Sequence, residues 1–324
     1  MKKTLAFSIL ALTATLVSAQ VKFPWVDSVT DDPDNMLPGV DPTKVTGSIV
    51  TSGSSTVFPL SEAVAELFVK QGYTGQISID SIGSGGGFER FGKGELDIAN
   101  ASRAIKSTEQ DKAKAAYGSD VLEIRVGTDA LAVCVSSKNK FATDLSMEEL
   151  AKLFSDAVLW SDVRASFPKK EIKRYTPGTD SGTFDYFTEE VLKKKKELLL
   201  NAKNLQMSED DNVLVKGIES SEYAVGFFGY AYYVENKGKL KALSVKGVPP
   251  SEDTVNKGTY PLARPLFMYV ATKTLNEKPQ VAGFMAFYLA NVNRVIKKVG
   301  YFPAPAEDLK KAKQLYLDAV KGKY

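Results

Sequence analysis

The chain has 324 residues, with 42 Lys and Arg against 39 Asp and Glu, one Cys and no His. These counts exclude imidazole acid–base chemistry, a Ser-His-Asp or Cys-His triad, a His-bound metal, an internal disulfide and a Cys-rich zinc site. At 44% apolar and 25% charged residues the composition is that of a folded globular chain, long enough for two domains.

Residues 1–19 read as a secretory signal peptide. Lys2 and Lys3 precede an apolar run from Leu5 to Val17, and Val17-Ser18-Ala19 supplies the small residues of a cleavage site. The run falls short of the about 20 residues a bilayer span needs. Cleavage after Ala19 takes away two lysines and no acid, so the net charge drops from +3 to +1. No cysteine stands just after that point to carry a lipid anchor, and the expected product is periplasmic or secreted. A charge so balanced leaves no footprint for nucleic acid.

Residues 20–45 are rich in Asp and Pro and read as an acidic N-terminal arm. Asp31-Asp32-Pro33-Asp34-Asn35 lacks the ligand spacing and closing Glu of an EF-hand. From Ser48 the pattern becomes regular. Ser48–Thr51 is a strand, Gly53–Thr56 a turn, and Pro59 sits in the first turn of a helix, where its missing N–H is harmless. Leu60, Val64, Leu67 and Phe68 follow at helical spacing up to Gly72. Ile77–Ile79 is a strand, Gly83–Gly87 a glycine loop, and Phe88 and Phe91 mark a short helix. Leu96–Ala99 is a strand running into Asn100-Ala-Ser-Arg103.

Thr128–Val135 reads as a buried strand, with Cys134 an inert thiol within it. Ser146-Met-Glu-Glu149 is a capping box ahead of Leu150, Leu153 and Phe154. A strand at Ile172–Tyr175 opens into Thr176–Thr183, and a helix is predicted from about Phe184 to Leu200, with Lys193–Lys196 on its solvated face. Another helix begins near Asn212. Strands are predicted over 223–228, 240–245 and 266–270. Pro279 opens a C-terminal helix, and 307–320 forms the last one.

Strand, turn and helix in repetition predict an α/β fold with a parallel or mixed sheet flanked by helices. Ligands in such sheets bind at the carboxyl ends of the strands. Four loops expected there share one chemistry: Thr51–Thr56, Gly83–Gly87, Asn100–Arg103 and Thr179–Thr183 are built from Ser, Thr and Gly. Helix N-termini offer unpaired N–H groups and partial positive charge, glycine admits close approach, and hydroxyls add donors. Together they suit an anion, although each loop taken alone also fits simple helix capping. Arg103 is the one arginine in the set, and its planar fork suits an oxyanion. Asp180 fits if the ligand carries a proton for it to accept, as monohydrogen phosphate does and sulfate does not.

The segments Gly53-Ser-Ser-Thr-Val-Phe-Pro59, Gly83-Ser-Gly-Gly-Gly-Phe88, Asn100-Ala-Ser-Arg-Ala-Ile105 and Pro177-Gly-Thr-Asp-Ser-Gly-Thr-Phe184 resemble those of the phosphate-binding protein of ABC-type phosphate importers. Asp210–Val215, Gly226–Tyr233 and Arg264-Pro-Leu-Phe267 match as well, and the resemblance covers most of residues 46–300. It implies a two-lobe type II binding-protein architecture with two crossing hinge strands. Lobe 1 would span 46–128 plus 265–324 and lobe 2 would span 129–264. It also implies inorganic phosphate in the cleft, held by Ser55, Thr56, the Val57 amide, Ser84, Gly85, Arg103, Ser181, Gly182 and Thr183, with Asp180 beside them. In the best-known branch the acid lies in the third loop and the arginine before Ser-Gly-Thr. Here Arg103 and Asp180 exchange those places.

The resemblance further implies a monomer that works with an ABC-type permease and its ATPase, with no cofactor, no metal and no catalysis. A secreted oxyanion scavenger or sensor without a transporter remains open on sequence alone. An aspartic-type hydrolase built on Asp180-Ser181-Gly182-Thr183 would need a second such carboxylate, which the chain does not supply.

Overall fold

The computed structural model describes residues 22–179 and 181–323. The expected signal peptide at 1–19 and the candidate Asp180 lie outside the described residues. Among the described residues nine strands form one mixed sheet. Its first part uses β1 (Ser48–Gly53), β2 (Gln76–Ser81) and β3 (Ile98–Ala101), all parallel. Between them run helices α1 (Phe58–Lys70) and α2 (Gly83–Phe91), and α3 (Ser107–Tyr117) follows. The 16-residue strand β4 (Val121–Ser136) then carries the chain across the molecule.

The second part holds α4 (Met147–Leu153), β5 (Lys173–Thr176), α5 (Gly182–Glu190), β6 (Leu205–Met207), α6 (Asp211–Glu219), β7 (Ala224–Gly229) and β8 (Leu240–Ala242). Strand β9 (Ala263–Ala271) returns, and α7 (Pro279–Val299) and α8 (Ala306–Ala319) close the chain. The sheet order is β2-β1-β3-β9-β4-β7-β5-β6, with β8 on the free edge of β4. No helix among the described residues is long and apolar enough to cross a membrane.

β4 is what makes one sheet serve two lobes. Nine of its first ten residues pair antiparallel with β9, from Val121↔Ala271 to Ala130↔Ala263, with a bulge at Val126. Its last six pair with β7 and β8. From Val126 to Ser136 every residue is buried, so this stretch is covered on both faces and reads as a near-continuous apolar run. At the changeover Thr128 faces Pro265, while its own N–H and C=O bond Phe302 on the other side, each at 2.9 Å. A proline is tolerated there because no ladder N–H is required of it. One core gathers buried residues between Ala130 and Leu262. Two others gather buried residues up to Val126 and from Leu266 onward.

Several expectations are corrected. The glycine run is not a loop: α2 begins at Gly83 itself, so Ser84 and Gly85 lie on its first turn. The helix expected over 184–200 is broken into α5 and a short Lys196–Leu200 helix. Lys193 and Lys194 both adopt positive φ (53° and 67°), and the Lys194 N–H closes back on the Thr188 carbonyl at 2.9 Å. Four adjacent like charges oppose a regular helix there. The strand expected over 240–245 splits at Leu243, and Ser244–Val245 pair instead with Asp144–Leu145. Helix α3 has no expected counterpart, because only Ala113 of it is fully buried and its sequence shows no apolar period. The Ser146 capping box forms as expected, its hydroxyl accepting from Glu149 N–H at 3.2 Å.

The acidic arm is integral to the fold. Phe23 and Trp25 stack at 5.2 Å, Trp25 is fully buried, and Gly283 on α7 leaves the room for its ring. Asp32 accepts from the Met36 and Leu37 amides and pairs with Lys313 of α8 in the interior.

Candidate functional site

Every one of the four Ser/Thr/Gly segments follows the carboxyl end of a parallel strand: β1, β2, β3 and β5. The first segment turns at Gly53, whose φ is +142° and where a Cβ would stand 2.0 Å from the Asn100 carbonyl oxygen. Only glycine fits. Ser54 is buried, and its Oγ accepts from the Thr56 and Val57 amides at 3.2 and 3.4 Å. The Val57 N–H therefore already has a partner. Ser55 keeps its hydroxyl toward the cleft, 3.5 Å from Asp185 Oδ2. Thr56 is buried, and its Oγ1 accepts from Arg264 Nη2.

The second and third segments meet each other. Ser84 Oγ accepts from the Ser102 N–H at 3.1 Å and lies 3.3 Å from the Ser102 hydroxyl. α2 lies so close to β1 that a Cβ on Gly87 would stand 2.6 Å from the Gly53 Cα. Arg103 lies over the Phe88 ring at 4.8 Å and makes a two-pronged pair with Glu109, at 2.7 and 2.8 Å. The Arg103 guanidinium is the main cause holding the Glu109 carboxyl below its ordinary range. In the fourth segment Ser181 caps α5 by accepting from the Thr183 N–H at 3.2 Å. Gly182 lies against Ser55 and Thr56 from the other lobe.

Beside these groups lies a cleft of about 680 Å³, whose second wall is formed by Asp185, Thr188, Glu189 and Glu190 and not by Ser181, Gly182 or Thr183. Ser55, Ser84, Gly85 and Arg103 line it. Thr56 and Gly182 meet at its base beside Arg264, whereas Val57 is buried behind it. Lys194 and Lys196 line it from the second lobe, so that part of the lysine run faces the cleft.

Sequence reasoning missed Arg264, Asp185 and Glu109. Arg264 is 9% exposed and comes from the crossing strand, outside all four segments. Its Nε donates to Asp129 Oδ2 at 3.2 Å and its guanidinium stacks on the Tyr186 ring at 3.6 Å. The available signal was its place in Arg264-Pro-Leu-Phe267. Asp185 was legible as an acid in the first turn of a helix, and Glu109 as the closing acid of the Lys106 cap, where it accepts from the Lys106 N–H at 2.9 Å.

Comparison with known proteins agrees with this geometry. A family model described as the PBP superfamily domain matches residues 40–292. Protein SphX of Synechococcus elongatus is 45% identical over 279 residues, covering 83% of this chain and 81% of that protein. The phosphate-binding protein PstS of Staphylococcus saprophyticus is 35% identical, covering 87% and 88%. The chain belongs to the PBP superfamily, in its PstS and SphX branch. Among solved structures, a possible phosphate binding protein from Planctomyces limnophilus superposes with a TM-score of 0.78 at 36% identity, over 86% of this chain and all of that one.

Membership of this superfamily agrees with the chain path just described. Two strands cross between the lobes, and a third segment at Phe302 joins them by packing on Tyr230 of the second lobe at 5.0 Å. The loops that carry the site sit at the sheet ends nearest this crossing.

Proposed function

We propose that this chain is an extracytoplasmic solute-binding protein. It captures inorganic phosphate in the cleft between its lobes and delivers it to an ABC-type permease driven by an ATPase. Lobe 1 comprises 46–128 plus 265–324, and lobe 2 comprises 129–264. The chain is exported by a signal peptide cleaved after Ala19, acts as a monomer and performs no chemistry on its ligand.

One observation carries this reading. Hydroxyl-bearing segments at Ser54–Ser55, Ser84 and Ser102 converge with Arg103 on a single cleft, and its basal cation, Arg264, is charge-balanced by Asp129 and reaches the Gly182 carbonyl of the fourth segment. In this reading the ligand is held by Ser55, Ser84, the Gly85 turn, Ser181, Gly182 and Thr183, with Arg103 at the wall. Some of those donors are internally paired in this structure, and the ligand takes them over by exchanging one acceptor for another. The carboxylate of Asp180 accepts the one proton of monohydrogen phosphate and opposes fully ionised sulfate.

Calorimetric titration of the processed chain with phosphate, arsenate and sulfate tests this. Phosphate and arsenate should compete for one site. Sulfate should bind at least about 100-fold more weakly, because two desolvated acceptors facing each other cost several kcal/mol. Equal affinity for sulfate, or no phosphate binding at millimolar concentration, contradicts the proposal.

A further inference from the structure

We propose that Arg264 is a positioning residue that registers the two lobes on the ligand, favouring the arrangement in which the cleft is assembled. The inference rests on the phosphate-capture reading and extends it to how the cleft closes.

Arg264 stands on β9 directly opposite Asp129 on β4, where the chain crosses between the lobes. The side chains form an ion pair that is 10% and 2% exposed. A buried pair of this kind is stable only when its remaining donors are satisfied. Those donors are spread over the site. Nη1 reaches the Ser102 hydroxyl at 3.3 Å, and Nη2 reaches Thr56 Oγ1, both on the first lobe. Nη2 also approaches the Gly182 carbonyl at 3.4 Å on the second lobe, and the flat face of the guanidinium lies on Tyr186 of α5.

Three of the four segments, those of Thr56, Ser102 and Gly182, and the helix α5 that follows the last of these thus share one planar group fixed to the crossing strand. Arg264, Asp129, Gly182 and Tyr186 all lie within 129–264, so opening the cleft would leave their contacts in place. It would remove those to Ser102 and Thr56, uncovering the outer edge of a desolvated cation. The differential contact biases the equilibrium toward the assembled cleft, and a larger competent fraction raises the apparent affinity. A lysine at 264 keeps the charge beside Asp129 but has no fork to bridge the loops and no flat face for Tyr186. Arg103, by contrast, is engaged within its own lobe by Glu109.

The test measures distance and affinity together. Spin labels on Glu66→Cys and Lys216→Cys report the separation of the lobes, and Cys134 is buried and out of reach of the label. In Arg264→Lys the ligand-free distance distribution should shift toward the open form, and phosphate should bind at least tenfold more weakly. The ratio of phosphate to sulfate affinity should stay unchanged. Tyr186→Leu removes the stacked face that orients the guanidinium toward Ser102 and Thr56, without touching a charge, and should open the lobes in the same direction. If either folded variant keeps the wild-type distance distribution and binds phosphate within threefold of wild type, the assignment is wrong. If the wild-type chain binds no phosphate, the capture reading fails. The ligand-free distances of wild type and variants still decide the role of Arg264.

Discussion

Arg103 brings its charge to the cleft wall already engaged by Glu109, and the pair must be considered together. Removing the arginine alone leaves a carboxylate facing the ligand. Arg103→Ala should therefore weaken phosphate binding by at least tenfold, about 1.4 kcal/mol or more. The double variant Arg103→Ala with Glu109→Ala should recover part of that loss. Titration of the three proteins checks the cycle, and a double variant no better than the single one contradicts the repulsion argument. Sequence made Arg103 visible because it sits inside a Ser/Thr/Gly segment. Arg264 stayed hidden because its partners, Thr56, Ser102, Asp129 and Gly182, are scattered along the chain and meet only after the strands cross. Asp211 supplies a prediction away from the cleft. Burial first, then Asp210 and Glu209, push its carboxyl up to about 6 from an ordinary 3.8. A raised carboxyl favours the protonated folded state. Its contribution to stability is complete below pH about 4, declines as pH rises toward about 6, and is absent above. The expected size is about 2–3 kcal/mol. Asp211→Asn should match wild type in urea midpoint near pH 4 and exceed it near pH 7. A difference that does not vary with pH contradicts this.

At the level of elements, helix starts do most of the work, and they were the most legible part of the sequence. Pro59 in the first turn of α1, the Ser146 box and the Ser181 cap all stand where turn and cap chemistry predict. Glycine misled at α2, because residues 83–87 look like a flexible loop. Gly87 is instead needed for helix–strand contact and Gly83 for its φ of +80°. The break after α5 was misread because lysine has good helix propensity, although four adjacent like charges oppose a helix and a local closure of Lys194 on Thr188 ends it. The N-terminal arm shows how a polar segment is tied to a core. Asp32 and Lys313 are 0% and 2% exposed, and the arm's aromatic residues pack under α7. Lys313→Met leaves Asp32 buried with its amide donors but without its cation, which should cost about 3–5 kcal/mol. Guanidinium unfolding measures this, and a loss below about 1 kcal/mol would mean that the amides of Met36 and Leu37 suffice.

For the whole molecule, the alternation of strand and helix was enough to anticipate an α/β fold with its loops gathered at the strand ends. It could not anticipate that one 16-residue strand threads both lobes, because an apolar run says that a strand is buried and not which strands flank it. That threading brings Arg264, the Ser/Thr/Gly segments of one lobe, the Asp185–Glu190 wall of the other and the Phe302 segment to one crossing. It also explains why turns more than 100 residues apart in the chain share a cleft. The account depends on an anion lying in that cleft. Crystals grown with arsenate and measured at the arsenic edge locate it directly through its anomalous scattering. The prediction is one strong peak between the lobes, within about 3 Å of donors on Ser55, Ser84 and the Ser181–Thr183 turn. A peak on the outer surface, or an empty cleft at saturating arsenate, would contradict it.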